Sequence, residues 1–185
     1  MWALVEDNTI TKLINNPKGL VIGDTQYSRN IFSFRWSNAE REAIGLYEVV
    51  YDNTNKKDEA YYTNTDQSFA FADGAVTASY GSATAKALAG LKTKHKKKIK
   101  QQAATELANT DWYVTRKADA GTAIPSAITT YRAAVRTRSE EMETLINNAA
   151  NVDALATLYA YVNTADEGDP KVMERPLGEW PVLEV

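Results

Sequence analysis

The 185-residue chain contains no cysteine and a single histidine, His95. The absence of cysteine excludes disulfides, thiolate catalysis and Cys-ligated zinc. One histidine also excludes a multi-histidine metal site, and no stretch has the spaced Asp/Asn-Gly-Glu pattern of an EF-hand loop. We therefore expect neither a metal nor a cofactor.

Long apolar runs are also missing. Glu6 and Asp7 interrupt the amino-terminal apolar run, which has no preceding basic region, so a signal peptide is not expected. No segment approaches the roughly 20 apolar residues that cross a bilayer. We expect no membrane partner and synthesis in the cytoplasm. A net charge of −3 gives no overall reason to expect nucleic acid as a partner.

The nucleotide and nucleophile signatures G-x-S-x-G, G-x-x-x-x-G-K-[ST] and G-x-G-x-x-G do not occur in the sequence. Carboxylates are plentiful, but no base or oxyanion donor accompanies them in any recognisable spacing. The sequence therefore favours a protein without enzymatic activity.

The hydrophobic period changes near residue 82, from strand-like alternation to helical spacing, and predicts an α+β fold. We expect a β-rich domain over residues 1–82, a helical domain over 83–163 and an extended carboxyl-terminal tail over 164–185. The first should form an antiparallel meander with one short helix at residues 38–44, which the capping box Ser37-Asn38-Ala39-Glu40 begins. Its predicted strands are residues 2–6, 9–14, 46–51, 60–65, 67–72 and 75–80. Three hairpins should join them in pairs, through Asp7-Asn8, through residues 52–57 and through Asp73-Gly74.

In the second half, apolar residues at three- and four-residue spacing predict a helix over residues 84–108 and another after Pro125. Asn151 should begin a last helix that extends to residue 162, and residues 112–114 form a possible short strand. The short connections predict a helical hairpin or a three-helix cluster.

Lysines cluster between residues 92 and 100. Closely spaced ammonium groups can bind a polyanion, so a lysine-rich, nucleic-acid-binding component is one alternative function. No arginine or aromatic residue interleaves them, which favours an ordinary solvated helix face and makes nucleic acid an unfavoured partner. The candidate anion-binding residues are Lys92, Lys96, Lys97 and Lys100.

Aromatic residues in the β-rich half suggest a second alternative, a carbohydrate-binding adhesin module for host attachment. The residues concerned are Trp2, Trp36, Tyr61 and Tyr62. The competing interpretation is that the aromatics of this half are core, as alternating Phe32, Phe34 and Trp36 predict.

Two short motifs carry a resemblance to a known family. The run Tyr131-Arg132-Ala133-Ala134-Val135-Arg136 resembles the Tyr-Arg-x-x-Leu/Val-Arg helix of the tail-fibre assembly proteins of tailed bacteriophages. Trp180-Pro181 is similar to their Trp-Pro carboxyl end. The β-rich amino-terminal half also resembles modules of phage tail and fibre-associated proteins.

The resemblance implies a non-enzymatic protein of the virion tail that binds a tail fibre, or another tail protein, and helps it assemble or attach. A homo-oligomer within a particle is also compatible with it. The partner-binding candidates are Tyr131, Arg132, Arg136, Trp180 and Pro181. On a purely structural interpretation, Tyr131 and Val135 are core while Arg132 and Arg136 face solvent. Trp180 either folds back on its own domain or docks on a partner.

The sequence departs from the family pattern at one point. An extra predicted helix, residues 151–162, separates the arginine-rich helix from the Trp-Pro end. This departure favours a permanent virion component over a transient chaperone.

Overall fold

The computed structural model describes residues 1–184, which form two units, Met1–Thr84 and a second that begins at Ala85. The first unit contains strands and short helices, and the second contains the long helices. The α+β class is therefore confirmed, and the division falls beside the predicted boundary at residue 82.

A five-stranded sheet organises the first unit, in the order β2-β1-β5-β8-β7. Between β4 and β5 lie a 3-10 helix, Arg29–Phe32, and the helix α1, Asn38–Glu42, which has the predicted capping box at Ser37. The strands are β1 Trp2–Glu6, β2 Thr9–Ile14, β3 Leu20–Ile22, β4 Thr25–Tyr27, β5 Leu46–Asp52, β6 Tyr62–Thr63, β7 Gln67–Ala72, β8 Ala75–Tyr80 and β9 Thr84–Ala85.

Two predicted hairpins form as expected. Asp7 and Asn8 join β1 to β2 with positive φ angles of 50° and 59°, and Asp73-Gly74 joins β7 to β8 in the same way. Asp, Asn and Gly tolerate this region because they have short polar side chains or none.

The third predicted hairpin, between residues 46–51 and 60–65, is wrong. Its second strand shortens to β6, which pairs with β9, and β5 pairs with β8 in parallel, so the sheet is not a purely antiparallel meander. The intervening loop satisfies its backbone locally. The Asp52 carboxylate accepts from the Thr54 amide, and the Asn64 side chain both donates to and accepts from the Lys57 backbone. Such side-chain bonds compete with a strand ladder.

Each face of the sheet buries apolar side chains. Small and β-branched residues fill one face, around Val5, Val49 and Val76. The other face packs on β3, β4 and the 3-10 helix through a cluster centred on Ile31 and Leu46. The edge strands β2 and β7 also lie near each other.

An antiparallel helical hairpin organises the second unit. It pairs α2, Leu88–Ala108, with α4, Ser126–Asn148, and the buried stripe of α4 forms much of the core. The remaining elements are α3 Asp111–Ala120, α5 Val152–Thr157, β10 Val162–Asn163 and β11 Met173–Glu174. None of the helices in residues 1–184 combines the length and hydropathy that a bilayer crossing requires.

Two predictions for this unit are wrong. Residues 112–114 lie in α3 rather than in a strand, because Asp111 and Thr110 bind Arg132 at the helix start and Gly121 ends it in the left-handed conformation. The last helix stops at Thr157 rather than near residue 162. The chain beyond it pairs as β10 with β11, so the tail contains a short two-stranded ladder.

Candidate protein-binding surface

Arg132 lies inside the second unit, with 8% of its surface exposed. Its Nη1 donates to the Leu107 carbonyl at 3.0 Å and to the Thr110 hydroxyl at 2.7 Å, and its Nη2 pairs with Asp111 at 2.8 Å. The prediction that Arg132 faces solvent is therefore wrong. A guanidinium can be buried here because a carbonyl, a hydroxyl and a carboxylate occupy its donors. These bonds fasten the end of α2 and the start of α3 to α4.

Tyr131 is the second buried residue of the motif. Its hydroxyl donates to the Glu106 carboxylate at 2.8 Å, so it also ties α4 to α2. Burial, together with this hydrogen bond, raises the pKa of the Tyr131 phenol. Arg136 differs, because it is exposed and, among residues 1–184, its guanidinium donates to the Arg132 carbonyl at 3.3 Å and makes no ion pair. Of the three partner-binding candidates in this motif, Arg136 thus offers the accessible cation.

A third arginine of α4, Arg138, holds residues 175–184, which we call the carboxyl-terminal segment. Its Nη2 donates to the Leu177 carbonyl at 2.7 Å and its Nε to the Glu179 carbonyl at 3.1 Å, while Nη1 pairs with Glu141. Gly178 lies directly against this guanidinium with a φ of +75°. A Cβ at position 178 would overlap the guanidinium, so the contact requires glycine.

Contacts within the segment hold it in the same position. Leu177 is 1% exposed, and its amide donates to the Leu158 carbonyl. Arg175 pairs with Glu179 at 2.8 Å and lies over the Tyr161 ring, whose hydroxyl also donates to Glu179. The carboxyl-terminal segment is therefore folded back onto its own unit.

This docking places Trp180 and Pro181 against the helices as well. Trp180 is partly buried, and its Nε1 is buried without a hydrogen-bond partner among the described residues. Of the two fates predicted for Trp180, the structure shows the fold-back.

A groove of about 390 Å³ runs between the first half of α4 and the end of the carboxyl-terminal segment. Tyr131 and Pro181, from the two family-like motifs, both line it, and Val182 at its rim is 83% exposed. We call it the α4 groove. Its lining residues are Ser126, Ala127, Thr130, Tyr131, Ala134, Pro181, Val182, Leu183 and Glu184.

The lysine cluster lies along α2, and two of its four candidate residues are engaged at the α4 side. Lys92 donates to the Asn147 carbonyl at 2.8 Å, and Lys100 lies 3.5 Å from Glu143. Lys96 and Lys97 make no ion pair within residues 1–184. Burial, with the charges of Lys94 and Lys98, lowers the pKa of His95 on the same helix. Two of the four candidates therefore already have a partner on α4.

The aromatic residues proposed for a glycan site pack within the first unit. Trp2 lies edge-on to Phe32 at 5.7 Å, with Arg41 over its ring, and Trp36 lies edge-on to Tyr27. Tyr61 is buried, and Tyr62 is partly buried. In contrast, the prediction that Phe34 belongs to the core is wrong, because Phe34 is 94% exposed.

Sequence reasoning missed Arg138, Arg175 and the surface of α3. Arg138 follows the recognised motif by two residues, but nothing in the sequence indicates that it reaches residues about 40 positions away. On α3, the adjacent Trp112 and Tyr113 followed by Arg116 were a usable signal, since residues three and four apart share a helix face. The prediction of a strand at residues 112–114 does not make use of this helical spacing.

Within residues 1–184, no group of three or more His, Asp or Glu side chains lies close enough together to hold a metal ion. Comparison with protein-family models, curated proteins and solved structures found no match for this chain.

Proposed function

We propose that this chain is a non-enzymatic, bacteriophage tail-fibre-associated protein that binds a fibre subunit and helps it to assemble or attach. The observation that carries the proposal is the α4 groove, where the two family-like motifs meet. They are about 45 residues apart in the sequence, yet Tyr131 and Pro181 line one surface.

The chemistry of this groove suits a protein partner. Small side chains, such as Ala127 and Ala134, line its helical side and allow another backbone to approach closely, and Val182 supplies apolar area at the rim. Buried apolar contacts at the centre of an interface commonly supply most of its binding energy. The exposed Arg136 adds an accessible guanidinium on the same helix.

The way the groove is held also supports a binding role. Arg138 and the buried Leu177 hold residues 177–179 against the unit, so the chain is positioned directly before the residues that line the groove. A preorganised surface loses less conformational entropy on binding than one that must order itself. Unassembled fibre subunits expose apolar and strand-edge surfaces that aggregate, and covering them is the proposed assembly function.

Co-expression with the fibre protein encoded beside its gene tests the proposal. We expect one complex that co-elutes in size-exclusion chromatography and an increased soluble yield of the fibre. Val182→Asp should weaken binding about tenfold or more, because an unpaired carboxylate would be desolvated at the rim. The matched control is Val172→Asp, which also replaces an exposed valine but does not line the α4 groove.

Separate elution of the two wild-type proteins, with no gain in fibre solubility, would reject the proposed function. Equal losses in the two aspartate variants would instead reject the α4 groove as the binding site. Mass spectrometry of purified particles then distinguishes a transient chaperone from a component retained in the virion.

A further inference from the structure

The helix α3 presents aromatic surface to solvent instead of packing it away. It has no buried residue, and Trp112 is 51% exposed and Val114 42%. The Trp112 and Tyr113 rings lie 3.8 Å apart, centroid to centroid, with an interplanar angle of 32°. Leaving an indole half in water has a free-energy cost, which burial by a partner would recover.

Arg116 completes this surface. Its guanidinium lies over both rings, 4.7 Å from the centroid of Trp112 and 5.4 Å from that of Tyr113. Such stacking holds the planar group in a defined orientation. In residues 1–184 no carboxylate pairs with Arg116, and its Nε is buried without a hydrogen-bond partner.

The helix is nevertheless positioned firmly at one end. Arg132 holds Asp111 and Thr110 at the start of α3, and the adjacent Trp112 projects from this fixed turn. Trp, Tyr and Arg are the three residue types most enriched at the energetic centres of protein interfaces. Residues of these three types, Trp112, Tyr113 and Arg116, lie together here, and no carboxylate in residues 1–184 pairs with the guanidinium of Arg116.

We propose that Trp112, Tyr113 and Arg116 form a second docking surface, for a partner peptide segment in which one carboxylate lies among apolar residues. The carboxylate would pair with Arg116, and the apolar side chains would cover Trp112. None of these residues lines the α4 groove, so this surface does not depend on the function proposed for the groove.

Charge complementarity selects this occupant over a nucleic acid. The helix α3 carries two acidic residues, Asp111 and Asp119, beside two basic ones, Arg116 and Lys117. A polyanion binds through several phosphates neutralised at once, and the carboxylates of α3 would oppose that arrangement. The guanidinium of Arg116, which lies over two aromatic rings and pairs with no carboxylate in residues 1–184, is instead suited to bind a single carboxylate.

The test is an array of immobilised 12-residue peptides, each with one Glu among Leu, Pro and Phe, and each paired with its Gln counterpart. Fluorescently labelled full-length chain should bind a subset of the Glu peptides. Its affinity for their Gln counterparts should be lower by about tenfold or more. Soluble versions of these peptides should shift the amide resonances of α3 in an ¹⁵N-labelled sample. A 12-residue oligothymidylate is the competing probe.

Variants assign the binding to α3. Arg116→Gln and Trp112→Ala should each abolish most of it, and Arg116→Lys should retain only part, because an ammonium keeps the charge but loses the planar fork. The double variant Lys94→Gln/Lys97→Gln controls for general attraction by the lysines of α2 and should bind like the wild type. Circular dichroism confirms that each variant remains folded.

The proposal is overturned if no Glu peptide binds better than its Gln counterpart, or if Arg116→Gln binds like the wild type. It is also overturned if the lysine variant loses binding while the α3 variants keep it. Preferential binding of the oligothymidylate at α3 would replace the peptide with a nucleic-acid ligand.

Discussion

The two units hold their peripheral segments in different ways. In the first unit, the segment between β2 and β5 is fastened by apolar burial, with Ile31 and Leu46 at the centre of a cluster against the sheet. The buried Arg41 lies within that same segment and donates to its Ile31 and Ser33 carbonyls. In the second unit, the guanidinium groups of Arg132 and Arg138 reach from α4 to α3 and to the carboxyl-terminal segment, and the latter also buries Leu177.

Neither arrangement buries every apolar side chain of the segment that it holds, because a segment bound through its carbonyls can point a neighbouring side chain outward. In the first unit, Phe34 follows the Ser33 carbonyl that Arg41 binds, and it is 94% exposed. Trp112 and Val182 belong to the two segments that the arginines hold, and both are exposed. Polar anchoring of this kind combines a fixed backbone with an apolar surface, which is a useful property for binding a protein.

The largest expected loss of stability follows from disrupting the apolar cluster of the first unit. Leu46→Ala should lower the free energy of unfolding by about 3 kcal/mol, because Leu46 is fully buried and the surrounding cluster closes only partly around the cavity. Urea denaturation measures the change. Val50→Ala is the control on the same strand. Because Val50 is 58% exposed, this change should lower the free energy of unfolding much less. Equal losses in the two variants would contradict the assignment of Leu46 to the core.

Breaking the first polar anchor should have a somewhat smaller effect. Arg132→Met should cost about 2 to 3 kcal/mol, because the Leu107 carbonyl and the Thr110 hydroxyl lose a charged donor in a partly dry site. Hydrogen exchange should show the amides of α3 losing protection before those of α2.

The control for this prediction is Arg136→Met on the same helix, where the arginine is exposed and its hydrogen bond to the Arg132 carbonyl is 3.3 Å long. It should change the stability by a few tenths of a kcal/mol at most. If the two methionine variants behave alike, Arg132 does not anchor α3.

The smallest expected effect concerns the second polar anchor. Gly178→Ala should destabilise the carboxyl-terminal segment by about 1 kcal/mol from the left-handed backbone, and further because the new Cβ displaces the Arg138 guanidinium. Gly168→Ala is a matched control, because Gly168 also has a positive φ, of 96°, but its Cβ would meet nothing within 4 Å.

Hydrogen exchange at the Leu177 amide and the fluorescence of Trp180 report on this segment. We expect both to change more in Gly178→Ala than in Gly168→Ala. Identical responses would mean that only backbone strain matters and that the Arg138 contact contributes nothing.

Local signals predicted the elements that depend on neighbouring residues. Asp7-Asn8, Asp73-Gly74 and the capping box at Ser37 lie where the sequence indicated, because turns and helix starts are decided by a few adjacent side chains. The apolar stripe of α4 was predictable for the same reason.

The wrong predictions concern elements whose structure depends on residues that are distant in the sequence. The β-branched and aromatic run at residues 112–114 suggests a strand, but Arg132 binds the start of α3 from about 20 residues away and the helix forms. The parallel pairing of β5 with β8 depends similarly on a loop that satisfies its own backbone, which strand propensity does not register.

By itself, the sequence determined the α+β class, the change of period near residue 82 and the turns and caps, because these follow from hydrophobic spacing and local backbone chemistry. Only the tertiary structure decided that Arg132 is buried while Arg136 is not, that Gly178 lies against Arg138, and that Trp112 and Val182 face solvent. The physical reason is that a guanidinium can satisfy several distant acceptors at once, and one-dimensional spacing does not reveal which acceptors fold within its reach.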